Sequence, residues 1–299
     1  MAVGAGGGNC VAVKLAAHLR TWVLVAALTA LLLAIGGVLG GGFLYVFVAI
    51  AVIMNVLGFW FSDRLALAAA RAQPLPEHGA ADVHRIVREL ASRAEVPMPR
   101  LYLVASEQPN AFATGRNPRH AAVAVTSGLV ERLPRDQVRA VLAHELAHIR
   151  NRDTLVCSFA AMIAGAIAAV ANILQFSFLF GGHDDDDGGP LSWLGVIAAI
   201  VVAPIAATLL QLGVSRQREY LADASAARLL GEGRPLADAL ETLEREARSR
   251  PLHVNPATES LYIVNPLSRS GIATLFSTHP AIEDRVRRLR AYDADAAAA

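Results

Sequence analysis

Four long apolar stretches constrain the fold of this chain more than any other feature of its sequence. They cover residues 22–39, 43–61, 155–180 and 191–213, and none of them contains a charged side chain. A helix needs about 20 mostly apolar residues to cross a bilayer. Only 18% of all residues are charged, against about 25% in a typical soluble domain. We therefore expect a mostly α-helical membrane protein with four transmembrane helices.

The four stretches form two close pairs. Only the glycines at 40–42 separate the first two stretches, which favours a helical hairpin over a cleaved signal peptide. The second pair is less uniform, because Asn172 and Gln175 add polarity to the third stretch and Pro204 interrupts the fourth. For this pair the alternative is a hairpin buried in a large soluble core. Whether both stretches cross the membrane therefore stays open.

Basic residues indicate the orientation of the spans. They flank both hairpins on one side, whereas the short connections at 40–42 and 181–190 contain no Lys or Arg. Because basic residues accumulate on the cytoplasmic side, we expect a multi-pass membrane protein with both termini in the cytoplasm. The aspartates at 184–187 would then face outside, and their role stays open. The flanking basic residues are Lys14, Arg20, Arg64, Arg71, Arg150, Arg152, Arg216 and Arg218.

The two long polar segments predict an α+β domain on the cytoplasmic side. The chain then divides into an arm with the first hairpin (1–64), a cytoplasmic segment (65–153), the second hairpin (154–213) and a segment that completes the domain (214–299). Apolar periodicity predicts helices over 80–94, 135–148, 216–230, 235–248 and 280–292, and short strands over 101–105 and 121–126.

The run His144-Glu145-Leu-Ala-His148 indicates a catalytic metal site. Residues four apart share one helix face, so both imidazoles can bind one ion while Glu145 reaches a water molecule beside it. Zn²⁺ with three protein ligands lowers the pKa of water to about 7, and a carboxylate can then take the proton. The alternative is a helix that bears two histidines on its surface. Apolar residues around the motif argue against it, because they would bury this helix.

Glu219 is the candidate for the third ligand. If the third and fourth stretches form an antiparallel hairpin, the segments on either side of it leave the membrane at the same face, which brings Glu219 near His148. Asp223 lies one helical turn after Glu219 and can accept a hydrogen bond from the far nitrogen of a ligand histidine. The alternatives are that Glu219 pairs with Arg216 at the surface and that Asp223 is simply solvated.

Further segments carry a family resemblance. They are residues 110–118, 121–129 and 215–223, and residues 278–280 together with Arg285. With the His-Glu motif, they resemble the HtpX family of membrane-bound zinc metalloproteases, which is related to the CAAX prenyl endopeptidases. The resemblance implies a gluzincin-type zincin fold, a location in the inner (plasma) membrane, and cytoplasmic cleavage of damaged or misfolded membrane proteins under stress. By position it implies one Zn²⁺ per subunit, held by His144, His148 and Glu219, with Glu145 as the catalytic residue.

Two more features are candidates for a part in the reaction. Asn110, Ala111 and Phe112 precede the strand at 121–126, and peptidases of this type bind substrate as an added strand along a sheet edge. An ordinary strand and turn is the alternative. His279 precedes the final predicted helix and either donates a hydrogen bond to the oxyanion, occupies the metal in a resting state, or is structural.

The sequence thus predicts a zinc endopeptidase that acts on protein substrates, expected to be membrane proteins. The alternatives are a non-catalytic scaffold or chaperone with a zincin fold, against which Glu145 argues, and a CAAX-type processing peptidase. The formal net charge of +1 gives no reason to expect a nucleic-acid partner. Cys10 and Cys157 do not predict a disulfide framework. The oligomeric state, including a homo-oligomer, stays open.

Overall fold

A computed structural model describes the polar segments and the helix that precedes them. Among the described residues, no helix combines the length and the apolar character that a membrane crossing needs. The first, third and fourth apolar stretches lie outside these residues, apart from isolated positions in the first and Leu155 in the third. The four spans therefore stay a prediction. The described residues are 43–155, 216–249, 262–263 and 280–298, with five isolated positions (23, 26, 29, 30 and 33).

The predicted helices and strands are present with small changes at their ends. The largest change is in the last helix, which extends to Ala298 instead of ending at residue 292; its alanine-rich tail favours helix. In chain order the elements are α1 Phe43–Ala69, β1 Gln73–Pro74, α2 Ala81–Arg93, β2 Arg100–Val104, β3 Ala111–Thr114, β4 Ala122–Thr126, α3 Ser127–Arg132, α4 Arg135–Asn151, α5 Arg216–Leu230, α6 Arg234–Ser249 and α7 Ile282–Ala298.

The four strands form one mixed sheet in the order β1-β2-β4-β3. β2 and β4 are parallel, whereas β3 runs antiparallel to β4, with Ala111 opposite Val125 and Phe112 opposite Ala124. β4 is central and buried at all of its positions. β3 is therefore the edge strand of the sheet on the side that faces α4.

Alternate side chains of β4 contribute to two different apolar clusters, as expected for a strand that is covered on both faces. Val123 and Val125 belong to the main core, together with residues of α2, α4, α5, α6 and α7. Ala122 and Ala124 belong to a smaller cluster with Phe112 and with Ala66 and Leu67 near the end of α1, which Tyr262 completes. The sheet thus lies between the helical core and the end of α1.

Helix α2 shows why the sequence folds this way. Val83, Ile86, Val87 and Leu90 recur at helical spacing and are all buried against the main core. Burying one such side chain contributes about 1.5–3 kcal/mol. α2 packs on α4, so this apolar face holds α4 in place over the sheet.

Candidate metal centre

Helix α4 places His144, Glu145 and His148 together in the interior. The helix follows Pro134, and its middle section is buried, with His144 1% and Glu145 2% exposed. The two imidazole rings meet edge to face, and their Nε2 atoms are 3.1 Å apart. The spacing of four residues therefore aims both Nε2 atoms at one point, as the sequence predicts.

Helix α5 brings Glu219 to the same point from the other part of the chain. Its Oε2 lies 3.7 Å from Nε2 of His144, and its Oε1 lies 3.5 Å from Nε2 of His148. Ala222, three residues after Glu219, is buried as well, and α5 packs closely on α4. One ligand atom from each of the three residues lies within 4.8 Å of the others, so they could hold a single ion.

The far nitrogens of both imidazoles face carboxylates. Nδ1 of His144 lies 2.9 Å from Oδ1 of Asp223, the partner that the sequence predicts. Nδ1 of His148 lies 3.2 Å from Oδ2 of Asp153. A carboxylate at Nδ1 holds the proton there and leaves the lone pair on Nε2, which is the atom that a metal would bind.

Asp153 reaches His148 because of how α4 ends. Arg152 adopts a left-handed conformation with φ of 62°, which stops the helix. The chain turns back, and the backbone N–H of Asp153 donates to the carbonyl of His148 at 3.0 Å. This turn brings the Asp153 carboxylate to the imidazole. No sequence pattern near His148 indicated this partner.

Arg285 of α7 is a second residue that the interpretation of the sequence did not assign to the site. It is fully buried, and its guanidinium binds Asp223 through two hydrogen bonds. Nη1 of the same group lies 3.6 Å from Oε2 of Glu219. The sequence did contain an indication of this role, because Arg285 lies on the core-facing side of α7 together with Val286 and Leu289. A charged residue in such a row indicates a buried partner.

Contacts between charged groups shift the pKa values of His144 and Asp223 strongly. Burial lowers the pKa of His144, but contacts with Asp223 and Glu219 outweigh burial and raise this pKa to about 9. Burial raises the pKa of Asp223, but Arg285 and His144 outweigh burial and lower it to about 2. The His144 imidazole thus lies between two carboxylates, one of which Arg285 keeps ionised.

Glu145 lies between the two histidines and the edge strand. Burial raises its pKa, an effect that the neighbouring imidazoles partly oppose. The backbone N–H of Ala113 in β3 donates a hydrogen bond to the Glu145 carboxylate. A buried carboxylate with a raised pKa can take a proton and pass it on, which is what a general base and acid requires.

The outer edge of β3 faces this carboxylate. The N–H of Thr126 donates to the carbonyl of Asn110 at 3.0 Å, so the backbone groups of Asn110 face β4. Because this direction alternates along a strand, those of Phe112 also face β4, while those of Ala111 and Ala113 face outward. The Ala111 carbonyl accepts a hydrogen bond from Ile263 at 3.3 Å. Asn110, Ala111 and Phe112 therefore lie beside the site. His279 lies outside the described residues.

Similarity to known proteins agrees with this geometry. Residues 77–293 match the model of peptidase family M48. A Protease HtpX homolog of Syntrophobacter fumaroxidans is 52% identical over 91% of this chain and 98% of that protein. The corresponding protein of Pelotomaculum thermopropionicum is 50% identical over 92% of this chain and 98% of that protein. That of Pyrococcus furiosus is 48% identical over 91% of this chain and 94% of that protein.

A distant likeness exists among solved structures. The crystal structure of S. mikatae Ste24p matches with a TM-score of 0.48 and 19% identity, over 93% of this chain and 67% of that chain. The family match and the high identity to the HtpX homologues extend over most of the chain, including both segments of the metal centre. This chain therefore belongs to peptidase family M48 and is a metalloprotease.

Proposed function

We propose that this metalloprotease is a zinc endopeptidase in which His144, His148 and Glu219 hold one Zn²⁺ and Glu145 acts as the general base. The observation that carries the proposal is the convergence of three ligand atoms from α4 and α5. The two Nε2 atoms are 3.1 Å apart, and the two oxygens of Glu219 lie 3.5 and 3.7 Å from His148 and His144, distances that suit a tetrahedral ion. Ligand atoms about 2.0–2.1 Å from tetrahedral Zn²⁺ lie about 3.3 Å apart.

The donor set also suits zinc. Two imidazole nitrogens and one carboxylate oxygen are ligands that Zn²⁺ takes in catalytic sites, where a fourth position stays open. Asp223 and Asp153 face the Nδ1 atoms, so both Nε2 atoms, 3.1 Å apart, are directed at the position of the ion. A bound cation would take the place of the proton that His144 carries in the metal-free protein. When bound, Zn²⁺ would acidify water and polarise the peptide carbonyl.

The protein's own residues would move the proton. Glu145 would accept it from the attacking water and deliver it to the leaving amine, because its carboxyl is buried next to both imidazoles. Asp223 and Asp153 would keep the imidazoles in the tautomer that the metal requires. Arg285 would hold Asp223 ionised through two hydrogen bonds.

We further propose that the outer edge of β3, at Asn110, Ala111 and Phe112, binds substrate as an added strand. The outward backbone groups of Ala111 and the contact between Ala113 and Glu145 support this, because a strand paired there would pass directly over the general base. In this structure Ile263 partners the Ala111 carbonyl, so an incoming substrate would replace that hydrogen bond.

Glu145→Gln tests the proposed mechanism. The amide retains the size of the carboxylate but cannot take a proton, so we expect full metal content and a loss of cleavage of about 10²–10⁴-fold. The control is Glu131→Gln, an exposed glutamate of α3, which should leave both quantities unchanged. Metal analysis of detergent-purified protein measures the metal content, and casein cleavage measures the activity. Cleavage at the parent rate by a metal-loaded Glu145→Gln protein would exclude this mechanism.

Glu219→Ala tests the proposed ligand set. Three protein ligands are usual in a catalytic zinc site, so removing Glu219 should lower the bound metal sharply. Glu232→Ala, near the end of α5 and exposed, is the control. Elemental analysis identifies the metal and gives its stoichiometry. One tightly held ion in Glu219→Ala would transfer the ligand role to another residue.

We propose that four spans anchor the enzyme in the inner membrane, with the catalytic domain in the cytoplasm. The apolar stretches and their basic flanks support this. Exposed apolar side chains on α1, such as Val52, Ile53 and Trp60, add support, because water would disfavour such a surface. Labelling of single-cysteine variants at Asp184 and Arg248 from each side tests the orientation. Labelling of the Arg248 position only from outside would reverse it.

Anchoring of this kind would keep the site close to the membrane. His148 lies seven residues before the third apolar stretch, and α4 ends between them at Asn151, so the chain can separate the two by at most about 25 Å. Charged ligands deep in hydrocarbon would be costly. We therefore propose cleavage of cytoplasmic loops and exposed ends of damaged or misfolded membrane proteins. Mapping the cut sites on a membrane substrate tests this, and cuts confined to mid-membrane positions would contradict it.

A further inference from the structure

A basic cavity of about 500 Å³ lies between α1 and the loop that follows β3. The residues of the metal centre do not line it, so it requires a separate explanation. Its lining includes Trp60 and Arg64 of α1, Arg100 at the start of β2, and Arg116, Arg119 and His120 of the loop.

The charges in this cavity are unbalanced. Among the described residues that line it, four arginines face a single carboxylate, Asp63, which gives a formal charge of +3 without His120. Asp63 forms an ion pair with Arg100. Several guanidinium groups around one cavity repel each other, and a bound anion would relieve that repulsion. The guanidinium group is also the side chain best suited to phosphate, which it can bind with two parallel hydrogen bonds.

The walls of the cavity are held in place before any ligand binds. The guanidinium of Arg116 lies 4.7 Å from the centre of the Trp60 ring and donates to the Trp60 carbonyl at 3.3 Å. The side chain of Asn117 accepts hydrogen bonds from the backbone N–H groups of Arg119 and His120 at 3.0 and 3.1 Å. The loop is thus tied both to α1 and to itself.

An apolar stripe on α1 leads to the cavity. Val52, Val56 and Trp60 are spaced four residues apart, so they lie on one face of the helix. They are 57%, 48% and 51% exposed, and Val56 and Trp60 also line the cavity. A ligand that fits both features has a compact anionic head and a long apolar tail.

We propose that this cavity binds the phosphate of an anionic phospholipid, with the acyl chains along the stripe of Val52, Val56 and Trp60. The proposal rests on the proposed membrane attachment, which would bring α1 into contact with lipid. Basic clusters next to a span attract anionic lipids, and tryptophan is common at the membrane interface. Such a lipid would link α1 to the loop that continues from the edge strand of the active site.

Trp60 provides a direct measurement of this binding. Substituting Trp22 and Trp193, the other two tryptophans, by Phe leaves Trp60 as the only tryptophan in the full-length chain. The protein is reconstituted in phosphatidylcholine vesicles that contain brominated phosphatidylglycerol or brominated phosphatidylcholine. Because bromine quenches at contact, the two series give the preference for the anionic lipid next to Trp60. We expect phosphatidylglycerol to be preferred severalfold.

The matched variants are Arg64→Gln/Arg119→Gln in the cavity and Arg85→Gln/Arg234→Gln on exposed helix surfaces outside it. Neither cavity substitution removes the packing of Arg116 on Trp60. The cavity variant should lose most of this preference, since each basic residue near an anionic surface contributes about fivefold. The control should keep the preference. Equal loss in both variants would mean a general charge effect and would overturn the proposal.

Two further comparisons, between the two brominated lipids and with inorganic phosphate, distinguish the remaining explanations. Quenching by brominated phosphatidylcholine equal to that by phosphatidylglycerol would leave the membrane attachment standing and overturn the headgroup site. No quenching by either lipid would contradict the attachment of α1 itself. Inorganic phosphate at constant ionic strength should leave the phosphatidylglycerol preference unchanged. If phosphate alone changes Trp60 fluorescence and no lipid preference exists, the ligand is a soluble phosphate and the lipid assignment is wrong.

Discussion

Arg285 and Asp223 form a buried two-point ion pair, with Nε to Oδ2 at 2.8 Å and Nη2 to Oδ1 at 2.7 Å. Asp223 in turn lies 2.9 Å from Nδ1 of His144. A residue of the last helix therefore acts on the candidate metal ligand through one intermediate carboxylate. This relay connects α7, α5 and α4, and it makes the metal centre depend on the packing of all three helices.

Arg285→Ala should destabilise the fold and weaken metal binding together. The change leaves Asp223 buried without its cation, and losing one partner of a buried pair costs about 3–5 kcal/mol. Unfolding in denaturant and metal content measure the two effects. Arg287→Ala, an exposed position of the same helix, is the control and should change neither. Unchanged metal affinity in Arg285→Ala would show that the ion pair does not position the site.

Asp153→Asn should weaken metal binding without a large loss of stability. The amide can still accept a hydrogen bond from His148, but it no longer stabilises the proton on Nδ1 by charge. Loss of such a partner typically costs 10–100-fold in metal affinity. Competition with a chelator measures the affinity. Asp136→Asn, exposed in the first turn of α4, is the control, and equal affinities in the two variants would contradict the role of Asp153.

The metal affinity should rise with pH up to about 9. In the metal-free protein the pKa of His144 is raised from 6.5 to about 9, so a proton must leave before a metal can bind. The affinity should therefore change by up to about tenfold per pH unit over this interval. Chelator competition, corrected for the chelator's own protonation, measures it. An affinity independent of pH would contradict a protonated His144.

The same shift has the opposite effect on the metal-free fold. A pKa that is raised on folding contributes stability that is fully present below about 6.5 and is lost as the pH rises through about 9. The His144 contribution to the free energy of unfolding should therefore fall over this interval. Comparing the metal-free parent protein with its His144→Gln variant at several pH values isolates this contribution.

Gly115→Ala should destabilise the fold far more than Gly231→Ala. Both glycines have positive φ, 128° and 88°, so an alanine is strained at either position. A Cβ on Gly115 would lie 2.3 Å from the carbonyl of His120, whereas one on Gly231 would meet open space. We expect a cost of about 3 kcal/mol for Gly115→Ala and about 1 kcal/mol for Gly231→Ala. Thermal unfolding measures both, and equal costs would contradict the close approach.

The sequence alone determined the features that depend on local spacing. The run from His144 to His148 requires only that the segment is helical, because positions four apart share a face, and apolar residues at helical spacing predicted that helix. The same reasoning put Glu219 and Asp223 on one face of α5. It also predicted α2 almost to the residue, since its apolar face repeats without interruption.

Apart from Glu219 and Asp223, only the tertiary structure decided which distant residues meet at the site. Arg285 reaches Asp223 across 62 residues, and the distance along the chain carries no information about such contacts. Asp153 reaches His148 because Arg152 adopts φ of 62°, which its residue type does not favour. The contact between Ala113 and Glu145 depends on β4 lying between β2 and β3. Local periodicity determines helices and strands, but the packing of the whole core determines which of their ends converge.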